Sequence, residues 1–163
     1  MTLLGKLMWI AGGLAVGVLV AGRAGALAGS APTGLGVRDG RLAPPSGTPN
    51  SVSSQASLYA DHPLRAQAAI APLALAGDAP ATLARIEAIA ATLDGARQVE
   101  RRADYLRYEF TSRWLGFVDD AEFWADPAAG VAQVRSASRL GRRDFDVNRQ
   151  RIEAFRQRLA APQ

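Results

Sequence analysis

Residues 105–138 read YLRYEFTSRWLGFVDDAEFWADPAAGVAQVRSAS, and the fold turns on this stretch. Leu106, Tyr108 and Phe110 alternate with Arg107, Glu109 and Thr111. A strand sends successive side chains to opposite faces, so residues 105–112 are expected to form a strand with one apolar face. Gly116 separates it from a second run, residues 117–124. Asp126-Pro127-Ala128-Ala129-Gly130 is turn chemistry, and residues 131–138 follow as a third strand. The intervals are too short for crossover helices, so successive strands should pair as an antiparallel meander.

Working outward, residues 96–101 read as a weaker strand. Before it, Leu83, Ile86, Ile89, Ala90 and Leu93 recur at steps of three and four, which predicts a helix over residues 80–93. Pro80 suits its first turn, and Asp94-Gly95 ends it. A closing helix is expected over residues 144–160. Val147, Ile152, Phe155 and Leu159 mark its buried stripe, and Arg149, Arg151, Arg156 and Arg158 are expected mostly on its solvent side. The expected fold class is therefore α+β: a small antiparallel sheet of about four strands with two helices packed on one face. It occupies residues 58–163 as one domain.

Residues 1–28 bear on location. Lys6 supplies a positive head, residues 7–22 (LMWIAGGLAVGVLVAG) carry no charge, and Arg23 closes the run. The run is slightly short of the ~20 residues of a spanning helix. It is long for the ~7–15 apolar residues of a cleaved leader. Ala26-Leu27-Ala28 supplies a small-x-small cleavage site. A signal anchor and a signal peptide both fit. A buried core helix fits less well, because the run has no polar face. Counting Arg23, Arg38 and Arg41 after the run favours a cytoplasmic body, whereas the signal-like layout favours export. The expectation is the bacterial inner membrane with the body facing the periplasm, or the periplasm itself if the leader is cleaved. Residues 29–57 are rich in Pro, Gly and Ser and read as a linker. Within them, Pro49-Asn50-Ser51-Val52-Ser53-Ser54 has turn chemistry.

Composition narrows the partners. Lys6 is the only lysine in a chain of net charge +4. An arginine bias follows either from a GC-rich genome or from an anionic partner such as lipid headgroups. Nucleic acid is not expected, since the basic residues are interleaved with acids and no recognition motif accompanies them. The chain has no cysteine, which excludes disulfides, thiolate metal sites and thiol catalysis.

Three segments stand out together: Pro49 to Ser54; Gly116-Phe117-Val118-Asp119-Asp120-Ala121-Glu122-Phe123; and Val134-Arg135-Ser136-Ala137-Ser138-Arg139-Leu140-Gly141, continued by Asp144, Val147-Asn148-Arg149 and Arg151. In combination they resemble the domain-of-unknown-function family 1499, found in bacteria and plant plastids. The likeness runs over about residues 42–159. It implies no particular activity, because the family has no agreed one. It does imply an N-terminal membrane segment, which members often have. Many members have cysteine where this chain has Ser51, often with a second cysteine a few residues earlier, so a thiol role there does not carry over. Asp146 stands where the resemblance would place glycine; its charge at the start of a helix would suit the helix dipole.

Two residue sets are candidates for chemistry. Asp120 and Glu122 should share a strand face, with Asp119 on the other. Two carboxylates on one face can ligate a hard cation or divide acid and base roles. They can equally pair with arginines across the sheet, Arg107 and Arg135 being the natural partners, each pair contributing roughly 0.2–1 kcal/mol. The second set is Arg135, Ser136, Ser138 and Arg139, with Asn148 and Arg149 one turn into the closing helix. Guanidinium forks, hydroxyls and a helix N-terminus together suit an anion. The competing reading has these arginines satisfying the acids. The segment lacks phosphate-loop glycine spacing. His62, the only histidine, falls in an expected loop, Asp61-His62-Pro63, and no G-x-S-x-G elbow exists to partner it. Trp114, Phe117, Phe123 and Trp124 are expected to pack in the core or on a sheet face.

The function expected is a membrane-tethered or exported binding or assembly module, non-catalytic, with no cofactor. Its partners would be an anionic ligand or lipid headgroup, or an envelope protein. The alternative is a metal-assisted hydrolase using Asp120 and Glu122.

Overall fold

The computed structural model describes residues 2–161. Helix α1 (Leu3–Arg23) is followed by β1 (Ser51–Ser53), a 3-10 turn (Ala56–Leu58), α2 (Arg65–Ala68), β2 (Leu73–Ala74) and α3 (Ala79–Ala90). Then come β3 (Ala96–Arg101), β4 (Tyr105–Thr111), β5 (Val118–Asp126), β6 (Val131–Ser138) and α4 (Val147–Ala160). The alternation in residues 105–111 does what its period requires. Leu106 lies opposite Phe123, Tyr108 opposite Ala121, and Phe123 opposite Val134, so three strands present one continuous apolar face. The strands β3 to β6 form the expected antiparallel meander.

Among the described residues the sheet has six strands rather than about four, and there are four α-helices rather than two. Strands β1 and β2 both pair antiparallel with β6, at Ser136 and Ala132 respectively. At three and two residues they are too short to show a period. Helices α3 and α4 bury the apolar face. Leu83, Ile86, Ile152 and Phe155 are fully enclosed there, and the Phe123 and Phe155 rings meet at 4.7 Å. Asp78 caps α3 by accepting from the Ala81 N–H at 2.8 Å, which fixes where that helix starts.

Several residues lie elsewhere than expected. Trp114 is 62% exposed, and Phe117 and Val147 are also open to solvent, so none of the three is core; Phe123 and Trp124 are buried. The expected linker is not uniformly free. Residues 36–48 lie against the polar face of the sheet, with Gly36 and Leu42 buried, whereas residues 51–53 form its edge strand β1, whose Val52 joins the apolar core on the opposite face. Leu42 packs with Tyr105 and Trp124, and its N–H donates to Gln55 Oε1. We refer to residues 36–48 as the strap.

Among the described residues, α1 is the one helix long and apolar enough to cross a membrane, at 21 residues and mean hydropathy 2.0; a signal sequence meets the same test. At 1.5 Å per residue it reaches about 31 Å, matching a hydrocarbon core of about 30 Å. Its one buried residue, Gly22, abuts the Leu115–Gly116 backbone in the β4–β5 hairpin. A Cβ at either glycine would collide with the opposing backbone, so the approach depends on both.

Candidate functional site

The sheet sorts the predicted residues by parity. Asp120, Glu122, Arg135 and Arg139 project towards the strap; Asp119, Ser136 and Ser138 project towards α4. The six residues of the Arg/Ser set therefore do not converge on one point.

On the strap side, Glu122 lies in register between Arg107 on β4 and Arg135 on β6. Its carboxylate accepts from the Gly36 N–H at 2.7 Å, the Tyr105 hydroxyl at 2.8 Å and Arg135 Nη1 at 3.4 Å. Arg135 Nε donates to the Pro44 carbonyl at 3.0 Å, which ties the strap down. Asp120 receives Arg139 at both oxygens and Arg107 at 3.4 Å. Burial pushes the Tyr105 hydroxyl up, and the neighbouring Glu122 charge pushes it further. Burial would also raise the Glu109 carboxyl, but the Arg139 and Arg97 guanidiniums outweigh it and hold Glu109 below its ordinary range. Arg139 is held more firmly protonated by its bonds to Asp120, against the opposing effect of burial, with Glu109 adding to them. Ion pairs this enclosed resist loss of one partner strongly.

On the helix side, Asn148 is fully buried at the start of α4. Its amide donates to Ser138 Oγ at 3.0 Å, the Asn50 carbonyl at 3.1 Å and Asp144 at 2.8 Å. Its oxygen accepts from Ser136 and from Arg151 Nη1. Arg151 goes on to Asp119 at 2.6 Å and lies over the Phe110 ring at 4.5 Å. Arg151 is therefore a network residue, where the sequence suggested a solvent-facing one. Its three-residue step from Asn148, which puts both on one helix face, was the available signal. Arg149 stands apart, donating to the carbonyls of Ala69 and Gln67. Ser51 accepts from the strap's Ser46 N–H at 2.9 Å, so a hydroxyl serves at this thiol-free turn. The single histidine has its Nδ1 on the Leu64 N–H, within a turn.

Asp146 has φ of 64°, a left-handed value that favours glycine, and its side chain makes no capping bond. Asp144 supplies the cap, accepting from the Asn148 N–H at 3.0 Å. Phe145 has φ of 53° and is 87% exposed. A bulky residue held there is strained.

No group of three or more His, Asp or Glu side chains converges as a metal would require, among the described residues. The open concavity lies elsewhere. A hollow of about 710 Å³ sits between the β4–β5 hairpin, residues 140–145 and α4. Phe110, Leu115, Phe117, Leu140 and Val147 line it, and Asp119, Ser138 and Arg151 form a polar floor. Its size is that of a small-ligand pocket. The sequence did not point to it, because its lining comes from three separated stretches, residues 93–94, 110–119 and 138–154.

No curated protein and no solved structure significantly matches the chain. A family model described as "Protein of unknown function (DUF1499)" matches residues 41–159, which take in much of the strap, the whole sheet and nearly all of α4. The chain belongs to the DUF1499 family of proteins of unknown function.

Proposed function

We propose that the chain is a membrane-anchored, non-catalytic binding module whose ligand occupies the hollow beside α4. The observation that carries this reading is a division of labour across the sheet. The motif acids and arginines satisfy one another under the strap. The hollow on the other face stays open, with an apolar wall and a polar floor. Ligand pockets commonly combine these two features.

An anion-type role for Arg135 and Arg139 gives way in this proposal to a structural one, while Ser138 remains at the ligand site beside Arg151. Retention of α1 as an anchor is favoured by its seating on Leu115 and Gly116, which cleavage after Ala28 would remove. Export of the body to the periplasmic side belongs to the same reading. The hydrolase alternative gains no support from the geometry, since both oxygens of Asp120 and of Glu122 engage arginine, tyrosine or backbone donors.

Native mass spectrometry of the full chain, released from mild detergent after purification from its own host, tests the reading. A retained small-molecule mass is expected. Ala154→Trp, which fills the hollow from α4, should lose it. A mass kept equally by that folded variant would place the ligand elsewhere.

A further inference from the structure

We infer that the hollow takes one acyl chain of an anionic lipid, drawn from the leaflet in which α1 ends. The inference rests on the membrane-anchored binding reading and names its ligand. Four observations carry it.

The first is continuity with the apolar helix. A second hollow is lined by Gly22, Arg23, Gly25 and Ala28, where the chain leaves α1. It adjoins the first at Asp94, Thr111, Ser112 and Arg113, which line both. The end of α1 therefore lies next to the hollow, within reach of a lipid that borders the helix. The second is the wall, which offers phenylalanine, leucine and valine and suits hydrocarbon.

The third is charge. Arg113 and Arg143 line the hollow, Arg142 adjoins Arg143, and Arg23 sits in the last turn of α1. These four are exposed and make no ion pair among the described residues, whereas Arg107, Arg135, Arg139 and Arg151 each hold an acid. Unpaired guanidiniums beside a membrane attract a phosphate-bearing headgroup. The fourth is the pair of exposed aromatics on the two segments that form the mouth. Trp114 lies on the hairpin and Phe145 on the strained loop before α4. Such rings are at home in the membrane interface.

The test uses the full chain in nanodiscs of phosphatidylglycerol carrying a photoreactive group in the acyl tail. Irradiation followed by peptide mass spectrometry locates the adducts. Adducts are expected on residues 110–117 and 140–154 as well as on α1. Ala154→Trp should abolish the first two groups and keep those on α1. Val147→Trp, at an exposed rim position, serves the same purpose if the first variant fails to fold. Replacing Arg113, Arg142 and Arg143 together with glutamine should lower capture from phosphatidylglycerol to the level seen with phosphatidylcholine. Adducts confined to α1 in the wild type would overturn the inference. If native mass spectrometry then still showed a retained water-soluble mass that Ala154→Trp loses, the binding reading would stand and only its lipid assignment would fall. No acyl adduct and no retained mass would overturn both.

Discussion

Arg139 grips Asp120 at two points, Nε to Oδ2 at 2.7 Å and Nη2 to Oδ1 at 2.9 Å, with side-chain exposures of 7% and 1%. Two residues that the sequence offered as halves of different sites are one closed ion pair. Glu109 joins it through the same guanidinium at 2.6 Å.

Removing one side of this pair leaves an uncompensated buried charge. Arg139→Ala should therefore cost about 3–5 kcal/mol in unfolding free energy. Arg97→Ala, which touches the same Glu109 from a side chain 67% exposed, should cost about 1 kcal/mol or less. Denaturant titration of both variants measures the difference. Equal costs would contradict the burial argument.

The strap predicts a second asymmetry. Leu42 is fully buried against Tyr105 and Trp124 although it lies in a Pro/Gly-rich stretch. Leu42→Ala should destabilise by about 2–5 kcal/mol, as a core truncation does. A passive linker would tolerate it without a measurable shift in melting temperature.

Acid should weaken the same face. The folded state holds Glu109 below its ordinary 4.5, so its stabilising contribution is complete above that value. It is lost as pH falls from there through the lower folded value. Unfolding free energy should decline over that window. Glu109→Gln should be less stable than the wild type near neutrality, and the gap should narrow in acid. A gap independent of pH would rule out the ion-pair origin.

Phe145 predicts a trade between stability and binding. A left-handed backbone costs a non-glycine residue roughly 1–2 kcal/mol. At 87% exposure the ring returns little by burial. Glycine there restores backbone freedom to the unfolded chain, roughly 0.5–1 kcal/mol against the variant. Phe145→Gly should still raise the melting temperature slightly while reducing acyl-chain capture. A variant that lost stability would show the ring to be structural.

The parts of this fold that were legible share one property, a period long enough to read. Strands β3 and β6 fall over residues 96–101 and 131–138 as expected, and the β4 alternation names its core face correctly. The two-versus-one split of Asp119 from Asp120 and Glu122 follows from the same parity. That parity also separates Ser136 and Ser138 from Arg135 and Arg139, which speaks against a single Arg/Ser site once the strands are in register. The rest depends on chain packing without a period. The strap is irregular backbone held by Gly36, Leu42 and Pro44. Arg151 looked like a solvated helix charge because its partner Asp119 lies 32 residues away. Asp146 stands where the resemblance places glycine, and the left-handed backbone there is the physical reason for that preference.

The motif arginines are closed inside the domain, while a different set faces the hollow and solvent. Arginine-selective dicarbonyl footprinting of the folded full chain, read by peptide mass spectrometry, tests this directly. Arg113, Arg142 and Arg143 should be modified quickly, and Arg135 and Arg139 only when the protein unfolds. Modification of Arg135 or Arg139 in the folded state as fast as Arg143 would show that they are not enclosed and return them to the candidate binding surface.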